Sequence, residues 1–164
     1  MGQVTPAEMH GPEYDRLREE MARAYFERVS ALAARMGAQA EEVGRAREAL
    51  MPSGARLGER SEPGSRDRMA DGVARVQDAV DAMEEAAAGW ADEAEGARRV
   101  LGRMPDQRLA ALLQMRHLCR MRWDEVARAL NVSLATAHRW HAAALAQAYD
   151  GLPPGERLPR HPAI

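Results

Sequence analysis

Apolar residues recur along the middle of this chain at alternating steps of four and three. Met69, Val73, Val76, Val80, Met83, Ala87, Trp90, Ala94, Ala97 and Leu101 follow that spacing without interruption. Steps of this kind keep side chains on one stripe of a helix, and their persistence marks a heptad seam. A second, less regular seam precedes it. Tyr25, Val29, Leu32, Met36, Val43, Ala46 and Leu50 fit the same steps, with Gln39 in one seam position, and Tyr14, Leu17 and Met21 join after one slipped step. The pattern predicts a helix from Glu13 to Leu50, stopped by Pro52 and Gly54, and a second from about Ser65 to Leu101. Residues 52–66 carry Pro, Gly and Ser and read as a loop. Ser65 suits an N-cap, with Asp67 in the first turn, where the helix dipole favours an anion. Two long neighbouring helices joined by one loop predict an antiparallel coiled-coil hairpin over residues 13–104. Its seam is rich in alanine and can leave apolar surface for a second copy. A homo-oligomer through the hairpin and a purely intramolecular hairpin both fit.

The pattern changes after Gly102 and Pro105. The stretch "DQRLAALLQMRHLCRM" has a broad apolar face made by Leu109, Leu112, Leu113, Met115, Leu118 and Cys119. Asp124 then suits an N-cap, and "DEVARAL" makes two helical turns with Val126, Ala127 and Leu130 inward. Asn131 falls where the chain must turn and tolerates left-handed backbone angles, Val132 can plug the turn, and Ser133 can cap the next helix. That last helix, "LATAHRWHAAALAQAY", places Ala137, Trp140, Ala144, Leu145 and Ala148 on one stripe. A small residue at Ala127, a turn four residues later, a plug, a cap and a buried second helix are the spacing of a helix-turn-helix. The expected organisation is a flexible N-terminus at 1–12, the hairpin at 13–104, the helix-turn-helix at 105–149 and a flexible Pro-rich tail at 150–164. The fold class is all-α.

Charge sharpens this division. Residues 1–102 hold 14 Arg against 20 Asp and Glu, whereas residues 103–149 hold seven Arg, three acids and three His. An acidic scaffold joined to a basic module fits a polyanionic partner. The chain has no lysine, so arginine fills every cationic role and each single arginine is a weaker pointer to a site. One cysteine, Cys119, excludes an internal disulfide and suits a reducing cytoplasm. No apolar run reaches the length of a membrane span, and the N-terminus lacks a secretion signal, so no membrane partner is expected.

In a helix-turn-helix the start of the second helix faces base edges in the major groove. Here the outward positions are Leu134, Ala135, His138 and Arg139. Arg139 suits bidentate contact with guanine, His138 a base or phosphate, and Leu134 and Ala135 a thymine methyl. Ser133 and Thr136 can donate to phosphates, and Arg120, Arg122 and Arg128 can neutralise the DNA backbone. The bland alternative for the three flanking arginines is a solvated surface. His117, Cys119, His138 and His141 do not have zinc-ligand spacing, and Cys119 on an apolar face reads as core. Trp90, Trp123 and Trp140 read as packing residues. No nucleophile–base pair and no phosphate-binding loop is legible, so neither an enzyme nor a metal or other cofactor is expected.

The segment "PDQRLAALLQMRHLCRMRWDEVARALNVSLATAHRWHAAAL" resembles region 4 of bacterial sigma factors. The Trp123–Glu125 start, Ala127, Ser133, Thr136, Arg139, His141 and residues 143–145 look closer to a phage and prophage subgroup, the ArpU/RinA-like late-gene regulators. "GSRDRMADGVARV" upstream is similar to that group's layout. The specific resemblance covers about a quarter of the chain. It implies a sequence-specific regulator of transcription that binds double-stranded DNA, with RNA polymerase as a candidate second partner. Leu134, Ala135, His138 and Arg139 take the base-reading positions. Two of these four are apolar where sigma factors use charged and amide side chains, and nothing resembles promoter-melting regions, so a complete sigma factor is not expected. Two rival readings use the same features: a DNA-packaging recognition subunit of small-terminase type, and a coiled-coil adaptor that binds only protein.

Overall fold

The computed structural model describes residues 11–51 and 64–157. The expected flexible N-terminus, most of the 52–66 loop and the end of the tail lie outside the described residues. All regular structure among the described residues is helical: α1 Pro12–Leu50, α2 Ser65–Gly102, α3 Gln107–Leu113, α4 Trp123–Ala129 and α5 Leu134–Ala148. A π-helical turn, Gln114–Leu118, continues α3, and two 3₁₀ turns, Tyr149–Gly151 and Pro154–Glu156, come after α5. No helix among these residues is long and apolar enough to cross a membrane.

The two long helices form where the seams predict them. Pro12 opens α1 at a position that needs no backbone N–H, with Glu13 and Asp15 in the first turn and Arg47 in the last. Asp67 and Arg99 take the corresponding ends of α2, each matched in sign to the helix dipole. α2 begins at Ser65, and a capping role for the Ser65 side chain lies outside the described residues.

The chain divides into two compact units. One comprises Leu32–Asp92; the other joins the residues up to Ala31 with those from Glu93 onward. Among the described residues of the first unit, Ala33, Val43, Ala79 and Ala86 are buried. Ala79 and Ala86 lie seven apart, one position off the seam, and Gly72 continues that line one heptad earlier. A Cβ at Gly72 would stand 2.5 Å from Leu50 Cδ2. Small side chains therefore line the close approach of α1, whereas Met69 and Val73, on the bulky seam, are 57% and 53% exposed.

The second unit holds the main core. Ala22, Tyr25, Phe26 and Val29 of α1 and Ala97, Val100 and Leu101 of α2 join Leu109, Leu112, Leu113, Val126, Ala144, Leu145 and Leu152 in one cluster. The C-terminal helices thus share their core with the bases of α1 and α2. Asp106 caps α3, its Oδ1 accepting from the Arg108 and Leu109 amides. In the π-helical turn the Cys119 amide donates to the Gln114 carbonyl five residues back, which turns Cys119 outward. Cys119, expected in the core, is exposed. Arg120 then adopts φ 54°. The first part of the tail is also held down. Leu152 is 1% exposed, Arg28 makes a two-pronged bond with Glu156 at 2.7 and 3.2 Å, and Arg18 pairs with Asp150 at 2.7 Å.

Candidate functional site

α4 and α5 are joined by a turn whose geometry is set by three residues. The helical backbone ends at Leu130, and Asn131 swings to φ 54°. The Asn131 amide donates to the Arg128 carbonyl and the Val132 amide to the Ala127 carbonyl, which together satisfy the last carbonyls of α4 in a Schellman arrangement. Ser133 Oγ accepts from the Thr136 amide at 3.1 Å and so caps α5. Asparagine suits the left-handed position because its short polar side chain tolerates it better than other non-glycine residues. Asn131→Gly should leave stability within a few tenths of a kcal/mol, whereas Asn131→Val should cost about 1–2 kcal/mol, read from urea midpoints. Equal stability of the two variants would remove the turn argument.

The start of α4 differs from expectation in one respect. The helix begins at Trp123, with Arg122 at the N-cap rather than Asp124. Glu125 reaches back, its Oε2 accepting from the Arg122 amide at 2.6 Å. Asp124 sits two residues inside the cap, which frees its carboxylate for other partners. It takes Arg122 through both oxygens at 3.0 Å and Arg128 at 2.8 Å. Despite some desolvation, which acts the other way, the Arg122 and Arg128 guanidiniums hold the Asp124 carboxyl below its ordinary value.

α5 has two clean faces. Ala137, His141, Ala144, Leu145 and Ala148 are buried. Leu134, Ala135, His138 and Arg139 are all exposed at its N-terminal end, as are Ser133 and, on the elements before it, Arg120, Arg122 and Arg128. Thr136 is half-buried and receives a bond from Arg139 Nη2 at 3.1 Å, and Ser133 Oγ donates to Thr136 Oγ1 at 2.9 Å. Of the nine residues singled out in the sequence, Ser133, Thr136 and Arg139 are joined by hydrogen bonds and Arg122 and Arg128 meet on Asp124, whereas Arg120 lies on the segment before α4. Asp124, Arg128, Ser133 and Leu134 line one open groove of about 440 Å³. The His138 ring rests on Trp123 at 4.2 Å between centroids, so Trp123 sets its position. Trp123 in turn carries the Arg116 guanidinium on its ring at 5.0 Å, while Arg116 Nη1 donates to the Met121 carbonyl.

Beneath this face lies a pair that sequence reasoning missed. His117 Nε2 and His141 Nε2 stand 3.0 Å apart, with both side chains buried. The Phe26 backbone also hydrogen-bonds the His117 ring and favours its charged form against the burial; of the two Nε2 atoms one donates and the other accepts, according to the tautomers. A relay thus runs from α5 through the π-helical turn to α1. Burial, the neighbouring His141 and the Arg116 and Arg23 guanidiniums push His117 down to about 3. Burial, Arg23, Arg116 and His138 push His141 down to about 4. The two residues lie 24 apart in sequence, and no local spacing announces the contact. Asp124–Arg128, by contrast, has the i,i+4 spacing of a helix ion pair. Among the described residues no group of three or more His, Cys, Asp or Glu is arranged to hold a metal ion.

Comparison of the chain with family models, with curated proteins and with solved structures returned no match.

Proposed function

We propose that this protein is a sequence-specific double-stranded DNA-binding regulator of transcription. On this reading α4 and α5 act as a helix-turn-helix of sigma region 4 type, and α1 and α2 as an antiparallel helical hairpin that carries it. The observation that supports it best is the make-up of the N-terminal turns of α5. Arg139, His138, Leu134 and Ala135 are exposed together, next to the capping Ser133 and the half-buried Thr136, while the opposite face is buried. That is the surface a second helix needs to enter a major groove. The resemblance to ArpU/RinA-type regulators makes phage or prophage late-gene control the proposed setting, in the cytoplasm of the host, with RNA polymerase as a second partner.

The test is selection of bound sequences from a random duplex pool, followed by Arg139→Ala. An enriched motif is expected, and the variant should lose about 1–3 kcal/mol on it and relax preference at one base position. Recovery of no motif would sink the reading. A packaging-type DNA-recognition subunit that works as an oligomer is a second reading, favoured by the exposed Met69 and Val73 on the α2 seam. Oligomeric state separates the two.

A further inference from the structure

Two of the three arginines assigned to the DNA backbone are already engaged. Arg122 presents its Nε and Nη2 edge to Asp124, the same flat two-donor edge that a phosphate takes. Arg128 Nη2 is bound to the same carboxylate, on Oδ2. The two guanidiniums are 77% and 76% exposed and Asp124 is 43% exposed, so the cluster lies open to an arriving ligand. Asp124 and Arg128 also line the groove shared by Ser133 and Leu134, at the end of α5 proposed to read bases.

We propose that Asp124 is a built-in competitor for the DNA backbone, occupying Arg122 and Arg128 in the free protein so that a phosphate must displace it. This rests on the DNA-binding reading above. Charge alone has two effects here. The triad carries one net positive charge where two free arginines would carry two. A phosphate seated on either guanidinium also has the Asp124 carboxylate as a near neighbour of like sign. Both effects act on any duplex, whatever its sequence, and so restrain non-specific binding most directly. An alternative role, in which Asp124 holds the arginines ready for phosphate, predicts the opposite sign.

The experiment compares wild type with Asp124→Asn, which keeps the shape and removes the charge. Affinity is measured for a random-sequence duplex and for the selected site across a salt series. Asp124→Asn should bind the random duplex several-fold tighter, and its plot of log affinity against log salt should steepen by about one unit. Adding Arg122→Ala and Arg128→Ala to that variant should abolish the gain. Thermal melts of each variant check that folding is unchanged. Unchanged or weaker binding by Asp124→Asn, with Arg139→Ala still relaxing base preference, overturns this inference and leaves the DNA-binding reading standing. Absence of duplex binding by the wild type overturns both.

Discussion

Acidification from pH 7.5 to 5 is expected to remove roughly 3–4 kcal/mol of unfolding free energy through the buried histidine pair alone. Both rings are neutral in the fold, with His117 lowered to about 3 and His141 to about 4 from an ordinary 6.5. The unfolded chain therefore takes up protons below about pH 6.5 that the folded chain refuses until about pH 4 or lower. The stabilisation is complete above pH 6.5 and falls through that window. The chemistry explains the refusal. A proton on both facing Nε2 atoms would leave the 3.0 Å contact with two donors and no acceptor, and the charge would face the Arg23 and Arg116 guanidiniums. Urea unfolding at a series of pH values measures the effect. His141→Gln, whose amide can still hydrogen-bond His117, should roughly halve the pH dependence. A midpoint that stays constant between pH 7.5 and 5 would show that the pair does not titrate on unfolding.

The second large effect concerns α1. Phe26→Ala should cost about 3–5 kcal/mol, the range for removing a buried aromatic ring. Phe26 is fully buried, meets Tyr25 edge-on at 5.3 Å and lies 5.5 Å from the His117 ring. Its loss opens a cavity beneath the C-terminal helices and loosens the relay. By the same argument a fragment beginning at Pro105 should not fold alone, since it lacks Phe26, Val29, Ala97, Val100 and Leu101 from its core. Circular dichroism and amide dispersion of that fragment test the point. A cooperative melt would show that α3 to α5 suffice.

Much of the fold is legible in the sequence because its signals are local. Pro12, Pro52 and the seams bound α1 within a residue or two, and the Asn131, Val132 and Ser133 turn could be assigned residue by residue. The covered side of α2 was not legible. Gly72, Ala79 and Ala86 carry little hydrophobic signal, yet their small size permits the closest approach of another helix. The conspicuous Met69 and Val73 are left half open. The shared core was also hidden, because periodicity shows that a face is buried without saying against what. Leu152 comes after Gly151 and precedes two prolines, a context that reads as loose, yet its burial and the Arg28–Glu156 and Arg18–Asp150 pairs tie it down. At the candidate site, exposure of the α5 face was readable from the helix period. The engagement of Arg122 was not, since it depends on the helix starting at Trp123 and leaving Arg122 as the cap.

The shared core also sets a timetable. Tyr25 and Phe26 are made well before the residues that bury them from the C-terminal side, which are spread from Ala97 to Leu152. For a helical protein these are distant partners, and distant partners slow folding. α1 must remain helical or collapsed without its final cover until Leu152 has been made. Its apolar residues are then open to chaperones and to neighbouring nascent chains. Truncation within α5 thus uncovers α1 as well as removing part of α5.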